Sequence, residues 1–138
     1  SDLLEELAVN FTPTGRYSAV VKDDGLWLSG IENQAVKDIE AGGDPGQVAA
    51  EVYDVLSRLV CKTLDRYPQG IHQVLLTGGV ASSQYLRERI LSKSSRIKKG
   101  FSFYFSLPEY AADNAAGVAL IARKKFYTKE DDDQWLPF

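Results

Sequence analysis

The spacing of apolar positions predicts a helix and then a β-hairpin at the start of the chain. Asp2–Ala8 carries apolar residues at helical spacing and predicts the last turns of a helix. Arg16–Val21 and Leu26–Gly30 are β-prone runs on either side of Asp23-Asp24-Gly25. An Asp-Gly pair between such runs is a hairpin signal, so we expect two short antiparallel strands here.

Two helices are predicted to follow. The first covers Ile31–Ala41 and is stopped by Gly42-Gly43. The second begins at Asp44-Pro45, because Asp caps free amides and Pro suits the first helical position, and it continues to about Tyr67. Its apolar stripe is wide enough to cover a sheet and consists of Val48, Val52, Val55, Leu56, Leu59, Val60 and Leu64.

Strands and helices alternate after this long helix. The predicted strands are Val74–Leu76 and Phe101–Phe105, and the predicted helices are Ser82 to about Ser92 and Asp113 to about Phe126. This alternation predicts parallel strands joined by helical crossovers, and therefore an α/β fold.

Composition limits the size and the class of the protein. With 138 residues, 44% of them hydrophobic, we expect a single domain over 1–138 that ends in a tail at 127–138. The net charge of −3 argues against bulk electrostatic binding of nucleic acid. Cys61 is the one cysteine, which suits a reducing compartment such as the cytoplasm, and no apolar run predicts a membrane span. Because the chain has no Met, we expect the natural protein to extend upstream.

The stretch VLLTGGVASSQYL places Gly78 and Gly79 directly after a predicted strand. In parallel sheets the ligand crevice lies beyond the carboxyl ends of the strands. Glycine at this place lets a flat ring or a phosphate approach the backbone, and the helix starting near Ser82 offers free amides to an anion. A tight turn without a ligand also explains the pair, since a complete GxGxxG pattern is absent.

The stretch LPEYAADNAAGVALIARKKF contains a second candidate residue, Asp113. Asp113 precedes a helix whose first turns are small residues, which permit close approach to another backbone or a ligand. The local sequence favours Asp113 as an N-cap. Its free oxygen could also coordinate a metal, although one carboxylate is a weak signal.

The segments LLTGGVASSQYLRERI and LPEYAADNAAGVALIA together resemble the carboxyl-terminal half of the TsaD-type tRNA threonylcarbamoyl-transferase family, once called O-sialoglycoprotein endopeptidases or glycoproteases. The likeness extends to LWLSGIENQAV, QVAAEVYDVLSRLVCKTL and QWLPF. It implies an actin-like, Hsp70-like ATPase fold of two ribonuclease-H-like halves with nucleotide between them. The chain would be the second half, an α/β domain with a mixed sheet, a β-hairpin and covering helices.

The resemblance also implies roles for individual residues. Gly78 and Gly79 match the glycines that approach the adenosine and α-phosphate of ATP or an adenylate. Ser83 stands where the family has asparagine and would still hydrogen-bond the nucleotide. Asp113 matches an aspartate of a divalent metal site, iron or zinc, that also needs two histidines from the first half. The one histidine, His72, is expected to be a partly exposed loop or strand-edge residue.

Several positions depart from the family pattern. Ser83 replaces asparagine, Gly30–Asn33 has an acidic residue where the family has lysine, and Ala111-Ala112 replaces Cys-Thr. The Gly-Gly-Pro element expected before the first helix is absent from this sequence. These changes together favour a diverged paralogue more than any one of them would.

The resemblance implies that the parent protein transfers a threonylcarbamoyl group from an adenylate to the adenosine beside the anticodon of tRNA. Its implied partners are the missing amino-terminal half, tRNA and other threonylcarbamoylation proteins, and the isolated fragment is expected to be inactive. A non-catalytic paralogue, acting as a nucleotide-responsive or protein-binding scaffold, is the alternative. A metal-dependent glycoprotease ranks third, since the His-Glu-x-x-His motif is absent.

A basic run follows the glycine turn. Its members are Arg87, Arg89, Lys93, Arg96, Lys98 and Lys99. The run could contact tRNA phosphates, but a solvated helix end and loop explains it as well. The acidic residues 130–133 are expected to form a solvated tail, and Cys61 is expected to be a structural thiol rather than a nucleophile.

Overall fold

The computed structural model describes residues 2–22, 25–26, 28–66, 72–97 and 100–107. The predicted helix at Asp113–Phe126, the candidate residue Asp113 and the tail at 127–138 lie outside these residues. The elements in chain order are α1 Asp2–Ala8, β1 Val21–Lys22, β2 Gly25–Leu26, α2 Ser29–Glu40, α3 Pro45–Arg66, β3 Gln73–Leu76, α4 Gln84–Ser94 and β4 Ser102–Phe105. A short 3-10 turn at Val80–Ser82 precedes α4.

The observed helices agree with the predicted ones except at their ends. α1 has the predicted bounds, and α4 begins at Gln84 because the residues before it form the 3-10 turn. Asp44 caps α3 as predicted, since its Oδ1 accepts hydrogen bonds from Gly46 N at 2.8 Å and from Gln47 N at 3.4 Å.

The predicted hairpin is much shorter than expected. Among the described residues, Val21–Lys22 pairs with Gly25–Leu26 in antiparallel fashion, and Arg16–Val20 is not a strand. The second predicted run ends early because Ser29 and Gly30 already belong to α2. Side chains of α3 take two carbonyl oxygens of Arg16–Val20: Arg58 donates to Tyr17 O at 2.6 Å and Lys62 to Ala19 O at 2.7 Å. These carbonyls are therefore satisfied without a strand ladder.

β3 and β4 pair in parallel, from Gln73 opposite Ser102 to Leu76 opposite Phe105, and α4 lies between them in the chain. The predicted crossover is thereby confirmed, and the fold is mixed α/β with a small parallel sheet. Within the described residues this pair and the hairpin are two separate two-stranded sheets. The single mixed sheet of the expected ribonuclease-H-like half is not among the described elements.

α3 is the centre of the packing. It packs against α1, α2 and α4, and Leu76 and Phe103 of the parallel sheet pack against the first of two core clusters. That cluster contains Ala8, Ala49, Ala50, Tyr53, Leu86 and Ile90. The second contains Tyr17, Ala19, Ile31, Val55 and Leu59. Because α3 supplies residues to both clusters, it connects the hairpin side of the domain to the sheet side.

Gly46 marks the closest approach between α3 and the amino-terminal segment. A Cβ there would overlap the Phe11 ring and lie 2.7 Å from Leu7 O. The absence of a side chain is what lets these segments pack this tightly.

None of the described helices is long and apolar enough to cross a membrane.

Candidate functional site

The paired glycines form the turn that leaves the carboxyl end of β3. Gly78 has φ +103°, which L-residues rarely adopt, so the backbone requires glycine at this position. Gly79 has φ −56° and ψ −39°, an ordinary helical conformation that does not require glycine. A Cβ at either position would meet nothing within 4 Å in the described structure.

The backbone angles of the described turn do not require glycine at position 79. Its backbone needs no special conformation, and no described neighbour crowds it. A missing side chain at an open position leaves the main chain accessible, which suits close approach by a ligand.

The turn is braced by its own hydrogen bonds. Gly79 O accepts from Ser82 N at 3.3 Å and from Ser82 Oγ at 2.6 Å, and Val80 O accepts from Ser83 N at 3.2 Å. The turn is thus held without any contact from the open side of the glycines.

Ser83 is the N-cap of α4. Its side chain is buried, and its Oγ accepts a hydrogen bond from Leu86 N at 3.2 Å. Ser83 therefore caps α4, while its contact with a nucleotide stays a prediction. The hydroxyl retains its own proton as a donor, but burial limits what that proton can reach.

Arg87 joins the glycine turn to the end of β4. It donates from Nε to Ala81 O at 2.8 Å and from a terminal nitrogen to Ser106 O at 2.7 Å. Its guanidinium lies 5.0 Å from the centre of the Phe105 ring. The two loops at the carboxyl edge of the parallel sheet are therefore tied by one side chain, which sequence reasoning assigned only to a basic patch.

An apolar cavity of about 200 Å³ lies beside the turn. Thr77, Val80 and Ala81 of the turn line it, with Leu28 and Phe105 among the residues opposite. Its lining is almost entirely apolar, which suits the flat face of an aromatic ring better than a charged group.

The described residues do not form a metal centre by themselves. Asp113 lies outside them, and the part of the chain that the structure describes brings together no group of three or more His, Cys, Asp or Glu side chains suited to a metal. His72 is exposed directly before β3, and its carbonyl oxygen accepts from Ser102 N at 2.7 Å. The expectation of an exposed loop or strand-edge residue is confirmed, and the His72 side chain is exposed rather than partly exposed.

Asp54 is a buried carboxylate that sequence reasoning missed. Its side chain is 5% exposed and accepts hydrogen bonds from Arg58 Nε at 2.7 Å, Arg89 at 2.9 Å and Lys93 Nζ at 2.7 Å. Burial raises the pKa of this carboxyl, but the bonds from Lys93, Arg89 and Arg58 outweigh burial and hold the pKa at about 2. Asp54 is therefore ionised throughout the physiological range.

Glu51, one turn earlier on α3, fixes the segment that follows α1. Its carboxylate accepts from Thr14 N at 2.6 Å, Thr14 Oγ1 at 2.7 Å, Gly15 N at 3.0 Å and Gln47 Nε2 at 3.0 Å. Burial raises the pKa of Glu51, but these hydrogen bonds lower it by more. The net pKa is below its usual value, so Glu51 is held as an anion. A sequence signal did exist, because acidic residues interrupt the apolar stripe of the long helix.

Half of the predicted basic patch has partners inside the protein. Arg87 binds backbone carbonyls, and Arg89 and Lys93 bind Asp54, so these three are not a freely solvated helix end. Arg96 is exposed, and Lys98 and Lys99 lie outside the described residues.

Cys61 on α3 is half-buried. Burial raises the pKa of its thiol, although the charge of Lys93 opposes this, and a raised pKa is typical of a structural thiol rather than a nucleophile.

Two comparisons with known proteins identify what the chain is similar to. A family described as "Carbamoyltransferase, Kae1-like Domain, second subdomain" matches residues 2–120. A relative from Methanothermobacter thermautotrophicus, named "Probable bifunctional tRNA threonylcarbamoyladenosine biosynthesis protein", is 26% identical over 124 residues. The match covers 88% of this chain and 23% of the relative, so the chain spans about a quarter of the relative's length.

Proposed function

Because the chain belongs to the family of Kae1-like carbamoyltransferase second subdomains, we propose that it is the nucleotide-binding carboxyl-terminal half of a TsaD-like threonylcarbamoyl transferase. The family and the relative confirm the resemblance to TsaD-type proteins that the sequence motifs indicated. The proposed reaction moves a threonylcarbamoyl group from an adenylate to the adenosine beside the anticodon of tRNA. The proposed partners are the upstream half, tRNA and other threonylcarbamoylation proteins, in the cytoplasm.

The observation that carries this proposal is the open glycine turn at the carboxyl edge of the parallel sheet. Gly78 provides the positive φ that turns the chain, and Gly79 leaves the backbone uncovered. The adjacent apolar cavity offers a surface for the adenine ring. In this arrangement the ring lies beside Val80 and Ala81 while the ribose and α-phosphate pass over Gly79.

The residues of this chain bind and orient the adenylate rather than react with it. Arg87 keeps the turn at a fixed distance from the end of β4, and Ser83 fixes the start of α4. A divalent metal, when bound, would polarise the acyl donor. Its proposed ligands are Asp113, which lies outside the described residues, and two histidines of the upstream half.

Calorimetric titration of the full-length protein with ATP tests the nucleotide role. We compare wild type with Gly79→Ala and Gly79→Val, because position 79 has helical φ and open space and so accepts a side chain without strain. We expect binding by wild type and affinity that falls as the side chain grows, by about tenfold or more for valine.

Gly30→Val is the matched control. Gly30 lies in the first turn of α2, and a Cβ there also meets nothing within 4 Å. Binding should be unchanged in this variant. Absence of ATP binding by wild type, or equal binding by Gly79→Val, would contradict the proposal.

A non-catalytic paralogue is the second candidate, and the position of Ser83 favours it. The family has asparagine there, whereas this serine is buried and already accepts from Leu86 N. A nucleotide-responsive scaffold would bind ATP as proposed but would transfer no threonylcarbamoyl group. The glycoprotease alternative gains no support from any described residue.

A further inference from the structure

Three cations converge on one buried carboxylate between α3 and α4. Asp54 Oδ2 accepts from Arg58, and Asp54 Oδ1 accepts from both Arg89 and Lys93. One negative charge thus faces three positive charges, which leaves an excess of two. The cations remain 24–26% exposed while the carboxylate is 5% exposed, so the excess faces outward.

Two of these cations also line a pocket along α4. The pocket has a volume of about 250 Å³ and is lined by Tyr85, Glu88, Arg89, Ser92 and Lys93. It shares no lining residue with the apolar cavity beside the glycine turn, which uses Leu86, Arg87 and Ile90 of the same helix.

The donors in this cluster outnumber the acceptors. Arg89 Nε is buried and has no acceptor in the described part of the chain. Lys93 carries three N–H donors, of which Asp54 Oδ1 takes one. The hydroxyl of Ser92 adds a further donor at the pocket wall, whereas the hydroxyl of Tyr85 already donates to Phe11 O at 3.4 Å.

We propose that this pocket is a binding site for a phosphate group, free or as a phosphodiester of RNA, held by Arg89 and Lys93. A phosphate offers several acceptor oxygens, which match a guanidinium and an ammonium group. Asp54 already fixes both cations, so binding costs little additional ordering of side chains. The proposal does not depend on nucleotide binding at the glycine turn.

One side chain in the pocket opposes an anion. Glu88 is exposed, and its Oε1 accepts from Gln84 Nε2 at 3.0 Å. Counted with Asp54 and Arg58, the three cations face two carboxylates, Asp54 and Glu88, so the cluster keeps a net charge of +1. Removing the charge of Glu88 should therefore strengthen anion binding without disturbing the contacts of Asp54.

The site is tested by titrating the 15N-labelled protein with inorganic phosphate, with sodium chloride at equal ionic strength as the reference. We expect saturable shifts of the backbone amide signals of residues 85–93 with phosphate but not with chloride. Replacing Arg89 or Lys93 directly would also remove support from Asp54, so the informative variants carry changes at Glu88 and Ser92.

Glu88→Gln should bind phosphate about three- to tenfold more tightly, and Ser92→Glu about three- to tenfold more weakly. Ser95→Glu is the matched control, because Ser95 is exposed just beyond α4 and does not line the pocket. The affinity of this variant for phosphate should match that of wild type. Phosphate shifts no larger than those with chloride, or equal affinity of wild type and both pocket variants, would identify at most an adventitious ion and overturn the proposal.

A short single-stranded RNA distinguishes the two sources of phosphate. If the RNA shifts the same amide signals and inorganic phosphate competes with it, the occupant is a phosphodiester. If only inorganic phosphate saturates these signals, the occupant is a free phosphate.

Discussion

At the scale of single residues, the two adjacent glycines of the turn differ in what their backbone requires. Gly78 needs glycine because of its φ of +103°, whereas Gly79 has helical dihedrals. The sequence shows the pair but not this difference, because dihedral angles depend on how the turn meets α4.

Alanine substitution separates the two glycines. Gly78→Ala should lower the free energy of unfolding by about 1–2 kcal/mol, because an L-residue is strained at its φ. Gly79→Ala should leave it unchanged or raise it by up to about 1 kcal/mol, since alanine restricts only the unfolded chain. Urea denaturation measures both. Equal destabilisation by the two variants would contradict the assigned backbone geometry.

Asp54 illustrates which residue roles the sequence could not reveal. The partners Arg89 and Lys93 lie 35 and 39 positions away, so no local pattern pairs them with this carboxylate. The N-cap Asp44 was predictable, because its partners Gly46 and Gln47 are adjacent in sequence.

Asp54→Asn should lower the free energy of unfolding at pH 7 by about 2–4 kcal/mol, because three cations lose their anion. Glu6→Gln is the control, since Glu6 is an exposed acidic residue of α1. Urea denaturation of the three proteins measures the effect, and a loss no greater than that of Glu6→Gln would show that the cluster contributes little.

The advantage of Asp54 over asparagine should depend on pH. The pKa is about 2 in the folded protein and about 4 in the unfolded chain, so the stabilisation is complete above about pH 4 and is lost as the pH falls towards 2. The unfolding free energies of wild type and Asp54→Asn should converge over this range in urea denaturation. A constant difference between pH 5 and pH 2 would contradict the lowered pKa.

At the scale of elements, the periodicity of the sequence predicts the helices, whereas tertiary contacts determine how long the strands of the hairpin are. The helical periods of α1 and α3 and the parallel β3–β4 pair were predictable from the sequence. The hairpin was overestimated, because Arg58 and Lys62 take carbonyl oxygens that a longer strand would have used. Those contacts join residues more than 40 positions apart, so strand propensity alone could not anticipate them.

Arg87 connects two elements, and its loss should loosen both. Arg87→Met should lower the free energy of unfolding by about 1–3 kcal/mol, because Ala81 O and Ser106 O lose their donor. Amide hydrogen exchange should also accelerate at Ser82 and Ser83 in the turn. The control is Arg96→Met, at an exposed arginine beyond the same helix. If exchange in the turn responds equally to both variants, Arg87 does not brace it.

Gly46 sets the contact between α3 and the amino-terminal segment. Gly46→Ala should destabilise the protein by about 1–3 kcal/mol, since the new methyl group meets Phe11 and Leu7 O. Gly30→Ala, in an open helical position, should instead be neutral or stabilising by up to about 1 kcal/mol. Thermal unfolding compares them, and an opposite order of stability would contradict the close packing at Gly46.

At the scale of the whole molecule, the chain matches only part of a longer relative. The family to which the chain belongs is a second subdomain, and the relative from Methanothermobacter thermautotrophicus is about four times as long as the matched region. The glycine turn and its cavity lie at the edge of the small parallel sheet, where the proposed nucleotide would also contact the proposed upstream half. The alternation of strands and helices indicated this edge, but the sequence could not show that the cavity beside it is apolar.

The most direct measurement is transfer by the full-length protein. It is incubated with threonylcarbamoyl-adenylate and a tRNA transcript, and the nucleosides of the digested tRNA are analysed by mass spectrometry. We predict threonylcarbamoyladenosine at the adenosine beside the anticodon with wild type, and its loss with Gly79→Val but not with Gly30→Val. Wild-type protein that binds ATP but leaves the tRNA unmodified would contradict the transferase role and favour the scaffold.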